Sequence, residues 1–222
     1  GRIVTWREAA RPFNERAAEY DRWFSDNPLF GIELAALQAA DALLPRPRLE
    51  IGVGPGRFAQ ALGVEYGIDP AISPLQLASR RGIMGISGTG ENLPIRQASI
   101  GTVYLLFTLC FLPDPLAVLG ECARVLRPGG RIIIGLIPGG SAWGIRLSER
   151  GKSGDPFYRH ARFRTIAETM QMLAIHGFQL EDAWSTLRQP PGRQLQFEPP
   201  REGAEEDAGF CVLMASQQGA PQ

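Results

Sequence analysis

Short apolar runs alternate with segments of helical spacing through the middle of the chain. Five runs, each bounded by glycine, proline or aspartate, are typical of strands, and they lie at 49–51, 64–69, 82–87, 101–111 and 132–137. The fourth run is almost continuously apolar, as strands buried on both faces of a parallel sheet are. The alternation contains no internal repeat and predicts an α/β fold with a parallel sheet and helices on both faces.

The segments on either side of this region predict further helices and a closing strand pair. Residues 13–44 carry helical chemistry interrupted at Asn27-Pro28, which predicts two helices. Two runs near the end, 178–187 and 209–216, predict an antiparallel pair of strands joined by a proline-rich, acidic loop. The remaining predicted helices are 58–62, Ser73 as N-cap to about Arg81, Asp114 to Leu126, 141–150, and Thr165 to His176.

Composition and charge narrow the classes of function. The 222 residues predict one domain, and 23 basic with 23 acidic side chains give a formal net charge of zero. We therefore expect neither nucleic acid nor an anionic membrane as a partner. The longest apolar run, 103–112, is about half of the ~20 residues that a membrane span needs. Three scattered cysteines, two histidines and no apolar signal core predict a cytoplasmic protein without a metal site.

Three alternate glycines follow the first predicted strand. Gly52, Gly54 and Gly56 let the backbone turn tightly and approach a bound molecule with no Cβ in the way. A dinucleotide fingerprint requires glycine at the position of Arg57, so the loop departs from that pattern. The motif Glu50-x-Gly-x-Gly-x-Gly resembles the first motif of class I S-adenosylmethionine-dependent methyltransferases, in particular the small-molecule enzymes of the methyltransferase type 11 group. The resemblance implies that these residues bind S-adenosyl-L-methionine, with Glu50 orienting its amino-acid end.

An acid ends the second predicted strand. A carboxylate at this strand tip can accept two hydrogen bonds from the ribose hydroxyls of an adenosine, so Asp69, followed by Pro70, is a candidate ribose-binding residue. Only thirteen positions separate Asp69 from Gly56, which requires a first helix of about two turns or less. The alternative is a solvated turn residue before the proline.

A second match to the methyltransferase group follows the third predicted strand, with one departure. Related enzymes have Gly-Asp-Ala-Glu-x-Leu-Pro, whereas this chain has Gly-Thr-Gly-Glu-Asn-Leu-Pro at 88–94. The resemblance implies that Thr89 and Gly90 meet the adenine, and because Thr89 replaces an aspartate we expect lower cofactor affinity. Glu91 matches the acid of the family and is equally consistent with a solvated loop residue.

The most specific local match is Arg-Val-Leu-Arg-Pro-Gly-Gly at 124–130. Its role is structural, since the proline stops the preceding helix and the two glycines supply a left-handed turn back into the sheet. The resemblance covers about residues 20–216. It implies a Rossmann-like, doubly wound, mostly parallel seven-stranded sheet with an antiparallel last strand and an N-terminal helical cap.

Candidates for the acceptor side come from three segments. Tyr20 begins a Tyr-Asp-x-Trp segment with which related enzymes fold a helix over the cofactor, although such aromatic clusters also simply pack a helix. Thr108 lies near the end of the fourth predicted strand, at the carboxyl edge of the sheet where ligands of such sheets bind, and is also a candidate cofactor-binding residue. Tyr158 and His160 lie in a later insertion, and histidine chemistry suits proton removal near neutral pH, so His160 is the candidate base. Cys110 is interpreted as a packing residue.

We therefore expect one methyltransferase domain over residues 1–222. Its predicted activity is methyl transfer from S-adenosyl-L-methionine to a small-molecule acceptor, leaving S-adenosyl-L-homocysteine, mainly by holding donor and acceptor in line. The expected oligomeric state is a monomer or a homodimer. The predicted parts are an N-terminal cap (1–47), a cofactor-binding core (48–138), an acceptor-side insertion (139–164) and a C-terminal helix with a strand pair (165–222).

Two other functions stay open at this point. A nicotinamide-dependent oxidoreductase is disfavoured by Arg57 and by the absence of a Tyr-x-x-x-Lys pair. A non-catalytic cofactor-binding module or partner subunit is favoured by Thr89 and by the lack of histidines after the fourth strand. A product assay with labelled cofactor separates these alternatives from a methyltransferase.

Overall fold

One sheet organises the chain, of which the computed structural model describes residues 4–40 and 43–217, leaving out the side chain of Asp26. Within these residues the strands are β1 Arg48–Ile51, β2 Tyr66–Asp69, β3 Met84–Ser87, β4 Ile100–Leu106, β5 Leu126–Leu136, β6 Phe178–Thr186, β7 Arg201–Glu202 and β8 Phe210–Gln217. The helices are α1 Trp6–Glu15, α2 Ala17–Asp26, α3 Leu29–Ala40, α4 Arg57–Leu62, α5 Ile72–Arg80, α6 Pro115–Val125, α7 Ala142–Lys152 and α8 Ile166–Ile175, with a 3-10 turn at Leu109–Phe111.

The strand order is β3-β2-β1-β4-β5-β8-β6-β7. Strands β1 to β5 are parallel, and β8 runs antiparallel between β5 and β6. This confirms the predicted mostly parallel, doubly wound sheet with an antiparallel last strand. The described part of the sheet has eight strands rather than seven, because the two-residue β7 pairs with β6 inside the stretch that was predicted to be a loop.

The hydrophobic core lies on both faces of the sheet. Every residue of β4 is buried, and successive side chains enter opposite clusters, as the two-residue period of a strand requires. Val103 and Leu105 pack in one cluster together with α6 and α8. Tyr104 and Leu106 pack in the other together with α3 and α4. The apolar run therefore marks a strand covered on both faces, as its sequence predicts.

The N-terminal region contains three helices where the sequence predicted two. The first begins at Trp6, because Thr5 and Glu8 form a capping box in which each side chain accepts from the other's backbone N–H. Asn27 separates the second helix from the third, and its Oδ1 accepts a hydrogen bond from the N–H of Leu29 at 2.9 Å. Parts of the predicted cap and C-terminal segments, namely 1–3, 41–42 and 218–222, lie outside the described residues.

Several predicted boundaries were wrong, including the start of β5, which begins at Leu126 rather than at 132, and three others follow from local geometry. Helix α5 begins before Ser73, whose N–H donates to Oδ1 of Asn14 at 2.8 Å, so Ser73 is not the cap. Strand β4 ends at Leu106, because Phe107 adopts a left-handed φ of 58°. Helix α6 ends at Val125, ahead of the proline, because the next residue already pairs with β4.

An ion-pair cluster fixes α2 against the glycine loop. The carboxylate of Asp21 accepts from Nε of Arg57 at 2.9 Å and from Nη2 of Arg81 at 3.0 Å. A second guanidinium nitrogen of Arg81 donates to the carbonyl of Pro55 at 2.8 Å. Burial alone would raise the pKa of Asp21. The hydrogen bonds from the two arginines lower it by more than burial raises it, so the pKa lies below its ordinary value. The loop and the helix above it are therefore joined by charge as well as by packing.

None of the helices in the described residues combines the length and apolar character needed to cross a bilayer.

We predict that Asp21→Asn lowers the free energy of unfolding by about 1.5–3 kcal/mol at pH 7, the usual worth of hydrogen bonds to a charged group. Because the folded pKa of Asp21 is depressed, its contribution is present above the unfolded pKa of about 3.9 and is lost as the pH falls through the folded value. Urea unfolding at pH 7 and pH 3.5 should therefore show a smaller difference between variant and wild type at pH 3.5 than at pH 7. The control is Glu19→Gln on the same helix, whose ion pair with Arg16 is exposed. Equal effects of the two substitutions at pH 7 would contradict the inference that the ion-pair cluster around Asp21 stabilises the fold.

Candidate active site

The glycine loop leaves β1 in a left-handed backbone conformation. Gly52, Gly54 and Gly56 have φ values of 76°, 53° and 82°, which side-chain-bearing residues rarely adopt. A Cβ on Gly52 would lie 2.4 Å from Oγ1 of Thr108, so the loop and the end of β4 touch there. A Cβ on Gly54 would meet nothing within 4 Å. The loop therefore packs against the end of β4 at Gly52 and has free space beside it at Gly54.

Asp69 ends β2 and bonds to the glycine loop. Its Oδ2 accepts from the N–H of Gly54 at 2.9 Å, and its Oδ1 accepts from the N–H of Ala71 at 2.8 Å. A carboxylate has about four acceptor positions, so each oxygen keeps one for a further donor. Burial raises the pKa of Asp69 to about 6, although the two backbone hydrogen bonds act in the opposite direction. The strand tip therefore offers two free acceptor positions on a fixed carboxyl group.

Glu50 carries a buried oxygen without a partner. The residue is 3% exposed, and its Oε1 makes no hydrogen bond within the described part of the chain. Burial, with a smaller contribution from the charge of Asp69, raises the pKa of Glu50 well above its ordinary range. A buried polar atom left unpaired costs about 1–3 kcal/mol. The arrangement suits a ligand that brings a hydrogen-bond donor or a positive charge.

These groups line a small cavity between the sheet edge and the N-terminal helices. The cavity has a volume of about 90 Å³. Strand ends supply its polar side, and α1 and α2 supply aromatic and apolar side chains. Its polar lining is formed by Glu50, Gly52, Gly54, Arg57, Asp69 and Thr108.

A second, larger cavity of about 410 Å³ adjoins the first. The two cavities share an aromatic wall, which consists of Phe13, Tyr20, Phe24, Phe107 and Phe111. Phe13 lies at its centre, with ring centroids 5.1 Å from Tyr20, 5.2 Å from Phe111 and 5.0 Å from Phe157, each in an edge-to-face arrangement. These five residues therefore border both cavities.

Phe107 owes its position in this wall to a strained backbone. Its φ of 58° is unusual for a bulky residue, and such outliers cluster at functional sites. The N–H of Phe107 donates to the carbonyl of Gly135 at 2.9 Å, and its ring stacks on Phe210 at 4.8 Å. These contacts hold the left-handed turn and direct the ring to the boundary between the cavities.

The structure brings most of the predicted cofactor residues together. Gly56 and Pro70 lie beside the cavity lining, where Gly56 caps α4 and approaches Ala78, and Pro70 is buried behind Asp69. Gly90 is also buried, and a Cβ there would lie about 3 Å from Val118 and Ile51. Apart from Arg57, the residues that form the polar lining of the small cavity are among the predicted ones.

Two predicted groups lie elsewhere. Thr89 and Glu91 are half-buried in the loop after β3 and do not line the small cavity. Tyr158 lines the large cavity, but His160 is exposed and lines neither of the two. Burial raises the pKa of the Cys110 thiol to about 12, which agrees with its interpretation as a packing residue. In the described residues no cluster of histidine, cysteine and acidic side chains could hold a metal ion.

Sequence reasoning missed several residues of the two cavities. Phe13 was assigned to a helix without a role, and Phe107 was taken as the interior of a strand. Glu33, an acid in the otherwise apolar α3, lines the large cavity and was not singled out. A lone charge inside an apolar helical stretch was the available signal.

Comparison with known proteins agrees with this geometry. A family model described as a methyltransferase domain matches residues 49–134. An uncharacterized protein of Mycobacterium tuberculosis is 41% identical over 206 residues, which cover 91% of this chain and 72% of that protein. The malonyl-[acyl-carrier protein] O-methyltransferase of Hahella chejuensis is 26% identical over 178 residues, covering 76% of this chain and 62% of that enzyme.

A solved structure from Thermotoga maritima covers almost the whole fold. It is described as an S-adenosylmethionine-dependent methyltransferase, possible histamine N-methyltransferase, and superposes with a TM-score of 0.86 at 32% sequence identity. The match covers 95% of this chain and 100% of that one. The chain therefore belongs to the S-adenosylmethionine-dependent methyltransferases, and S-adenosylmethionine is its cofactor.

Proposed function

We propose that the chain transfers the methyl group of S-adenosylmethionine to a small-molecule nucleophile, with the cofactor bound at the strand ends that line the small cavity and the acceptor in the large one. The observation that supports this proposal is the aromatic wall that the two cavities share. It places the cavity lined by cofactor-motif residues next to a second cavity that contains none of Glu50, Gly52, Gly54 and Asp69. The volume of the large cavity, about 410 Å³, suits a small organic ligand. In this proposal residues 1–222 act as one domain, with the parts defined above.

The lining of the small cavity matches part of the cofactor in donor and acceptor chemistry, and the cofactor extends beyond this volume of about 90 Å³ towards the loop after β3. The unpaired Oε1 of Glu50 suits the ammonium group at the amino-acid end. The two free acceptor positions of Asp69 suit the two ribose hydroxyls, and the open side of Gly54 lets the backbone approach the ligand. The loop of Thr89, Gly90 and Glu91 follows β3 beside Asp69, and we assign to it the adenine end.

Positioning is the main catalytic task in this proposal. The sulfonium group of the cofactor supplies an electrophilic methyl, so the protein has to hold the acceptor in line and exclude water, which can lower the barrier by roughly 7–11 kcal/mol. Burial raises the pKa of Tyr158 to about 12. Burial, followed by the charges of Tyr158 and of nearby carboxylates, raises the pKa of Tyr20 still further. Both phenols stay protonated at neutral pH and orient the acceptor as hydrogen-bond donors.

Membership in the methyltransferase family excludes the first alternative function, a nicotinamide-dependent oxidoreductase. The non-catalytic binding module stays as the second candidate, since Thr89 replaces the expected acid and His160 is exposed. A cytoplasmic location, a monomeric or homodimeric state and the absence of nucleic acid partners complete the proposal, on the grounds of composition and charge. Methyl transfer from labelled S-adenosylmethionine to members of a metabolite panel tests it, and cofactor binding without turnover on any member would favour the second candidate.

Asp69 should make cofactor binding depend on pH. Ribose hydroxyls donate to the ionised carboxylate, so binding favours loss of the proton that Asp69 holds below its pKa of about 6. We predict that the affinity for S-adenosylhomocysteine falls as the pH drops from 7 to 5, and that Asp69→Asn binds at least tenfold more weakly at pH 7 and loses part of this dependence. Titration calorimetry measures both quantities, with the exposed Asp207→Asn as control. Unchanged affinity in Asp69→Asn would remove Asp69 from the cofactor site.

The phenols of the large cavity should matter for turnover more than for cofactor affinity. We predict that Tyr20→Ala and Tyr158→Ala each lower kcat at least tenfold, because they loosen the acceptor, while Tyr158→Ala changes the Kd of S-adenosylhomocysteine less than threefold. Steady-state kinetics and calorimetry check these values. Wild-type turnover in both variants would place the acceptor elsewhere.

His160 needs a separate test, since it lines neither cavity. As the acceptor's base, it would give the pH–rate profile an acidic limb that His160→Ala removes. An identical profile in the variant and the wild type would exclude His160 from proton transfer.

A further inference from the structure

One ionisable group of the large cavity has no role in the activity described so far. Glu33 lies in α3, is 6% exposed and lines the cavity. Among the described residues it makes no hydrogen bond and no ion pair. The other two acids that line the cavity are paired, Glu19 with Arg16 at 2.8 Å and Asp155 with Arg150 at 2.6 Å. Glu33 is therefore the unpaired acid of this site.

The position of Glu33 is unfavourable for the empty protein. Its neighbours along the helix are apolar, and Ile32, Ala36 and Leu37 are buried in the core. Burial raises the pKa of Glu33 well above its ordinary range, since nothing nearby offsets the loss of water. An apolar residue would pack there without this cost. A positive charge brought by a ligand would compensate it.

The aromatic rings of the cavity are suited to a cation. Two of its rings already hold guanidinium groups on their faces, Arg16 at 4.9 Å from Phe157 and Arg150 at 5.3 Å from Tyr158. Both arginines are also paired with acids, so their charges are compensated.

The cavity's other two cations lie at a more exposed part of its lining. Arg162 is exposed, and the half-buried Arg164 donates to the carbonyl of Leu109 at 3.2 Å. Water and salt screen the exposed charge of Arg162, whereas the carboxyl group of Glu33 lies in a medium of low dielectric constant. Glu33 is therefore the buried, unpaired acid in the described lining of the cavity.

We propose that Glu33 is the counter-ion of a protonated amino group on the methyl acceptor, so that the large cavity takes small aromatic or apolar amines. The inference rests on the proposed function for the identity of the cavity as the acceptor site. The ammonium donates hydrogen bonds to the carboxylate, and the surrounding rings cover the apolar part of the molecule. While it stays protonated the amino group has no lone pair to accept a methyl, so Glu33 selects and anchors the acceptor.

The experiment is a titration of the protein saturated with S-adenosylhomocysteine, using three probes of similar size. These are 2-phenylethylamine, its neutral isostere 2-phenylethanol and the anion 3-phenylpropionate. We expect the amine to bind at least tenfold more tightly than the alcohol. We expect Glu33→Gln to lower amine affinity at least tenfold and to change alcohol affinity less than threefold. The matched control is Glu15→Gln, an exposed helical acid outside both cavities, which should retain the wild-type preference.

Each outcome decides the matter. The proposal is overturned when the alcohol or the anion binds wild type as tightly as the amine, when no amine binding is detected, or when Glu33→Gln keeps the wild-type ratio. The ratio of the amine and alcohol affinities is measured on the wild-type protein, so this part of the test remains valid even where a substitution impairs folding. Failure of S-adenosylhomocysteine to bind would contradict the proposed function, whereas cofactor binding without amine preference contradicts only this inference.

Discussion

The contact between the glycine loop and the end of β4 determines the geometry of the whole site. No side chain fits between Gly52 and Thr108, so only glycine lets β1 turn away from the sheet at that point. The same turn brings the N–H of Gly54 to Asp69, which ties the loop to β2. Because β1 pairs with β2 on one side and with β4 on the other, three strand ends meet at this one turn. The site thus lies at the switch point of the sheet, where open α/β sheets bind ligands.

Three buried carboxyl groups beside the cavities lower the stability of the empty protein. Glu50, Asp69 and Glu33 are all buried beside the cavities, and burial raises the pKa of each one. None of them has an arginine or lysine partner among the described residues, in contrast to Asp21, which two arginines hold in place. Arginines therefore fix the helical cap at Asp21, whereas these three buried acids have no cationic partner within the described residues. Such acids destabilise the empty protein and favour donors or cations in the bound state.

The parts that sequence could predict are those set by local chemistry. The mostly parallel, doubly wound sheet follows from the alternation of strands and helices and from the family resemblance. The motif residues Glu50, Gly52 and Asp69 follow from the positions of strand ends. The aromatic wall could not be predicted, because Phe13, Phe107 and Phe111 come from segments far apart in the chain. The positive φ of Phe107 is imposed by tertiary contacts, and nothing in an apolar run signals it. The start of α1 was missed for a different reason, since its capping box precedes the first segment with clear helical spacing.

The state of the phenols explains why the sequence says so little about the acceptor. A tyrosine that has to remove a proton needs a lowered pKa, whereas burial raises the pKa of Tyr158 to about 12 and raises that of Tyr20 as well. Neither ring can act as a base near neutral pH, so both can only shape the cavity and donate hydrogen bonds. A reaction driven by positioning places few demands on residue identity and many on shape. Shape here is made by aromatic packing between α1, α2 and the segment after β4, which no short motif encodes.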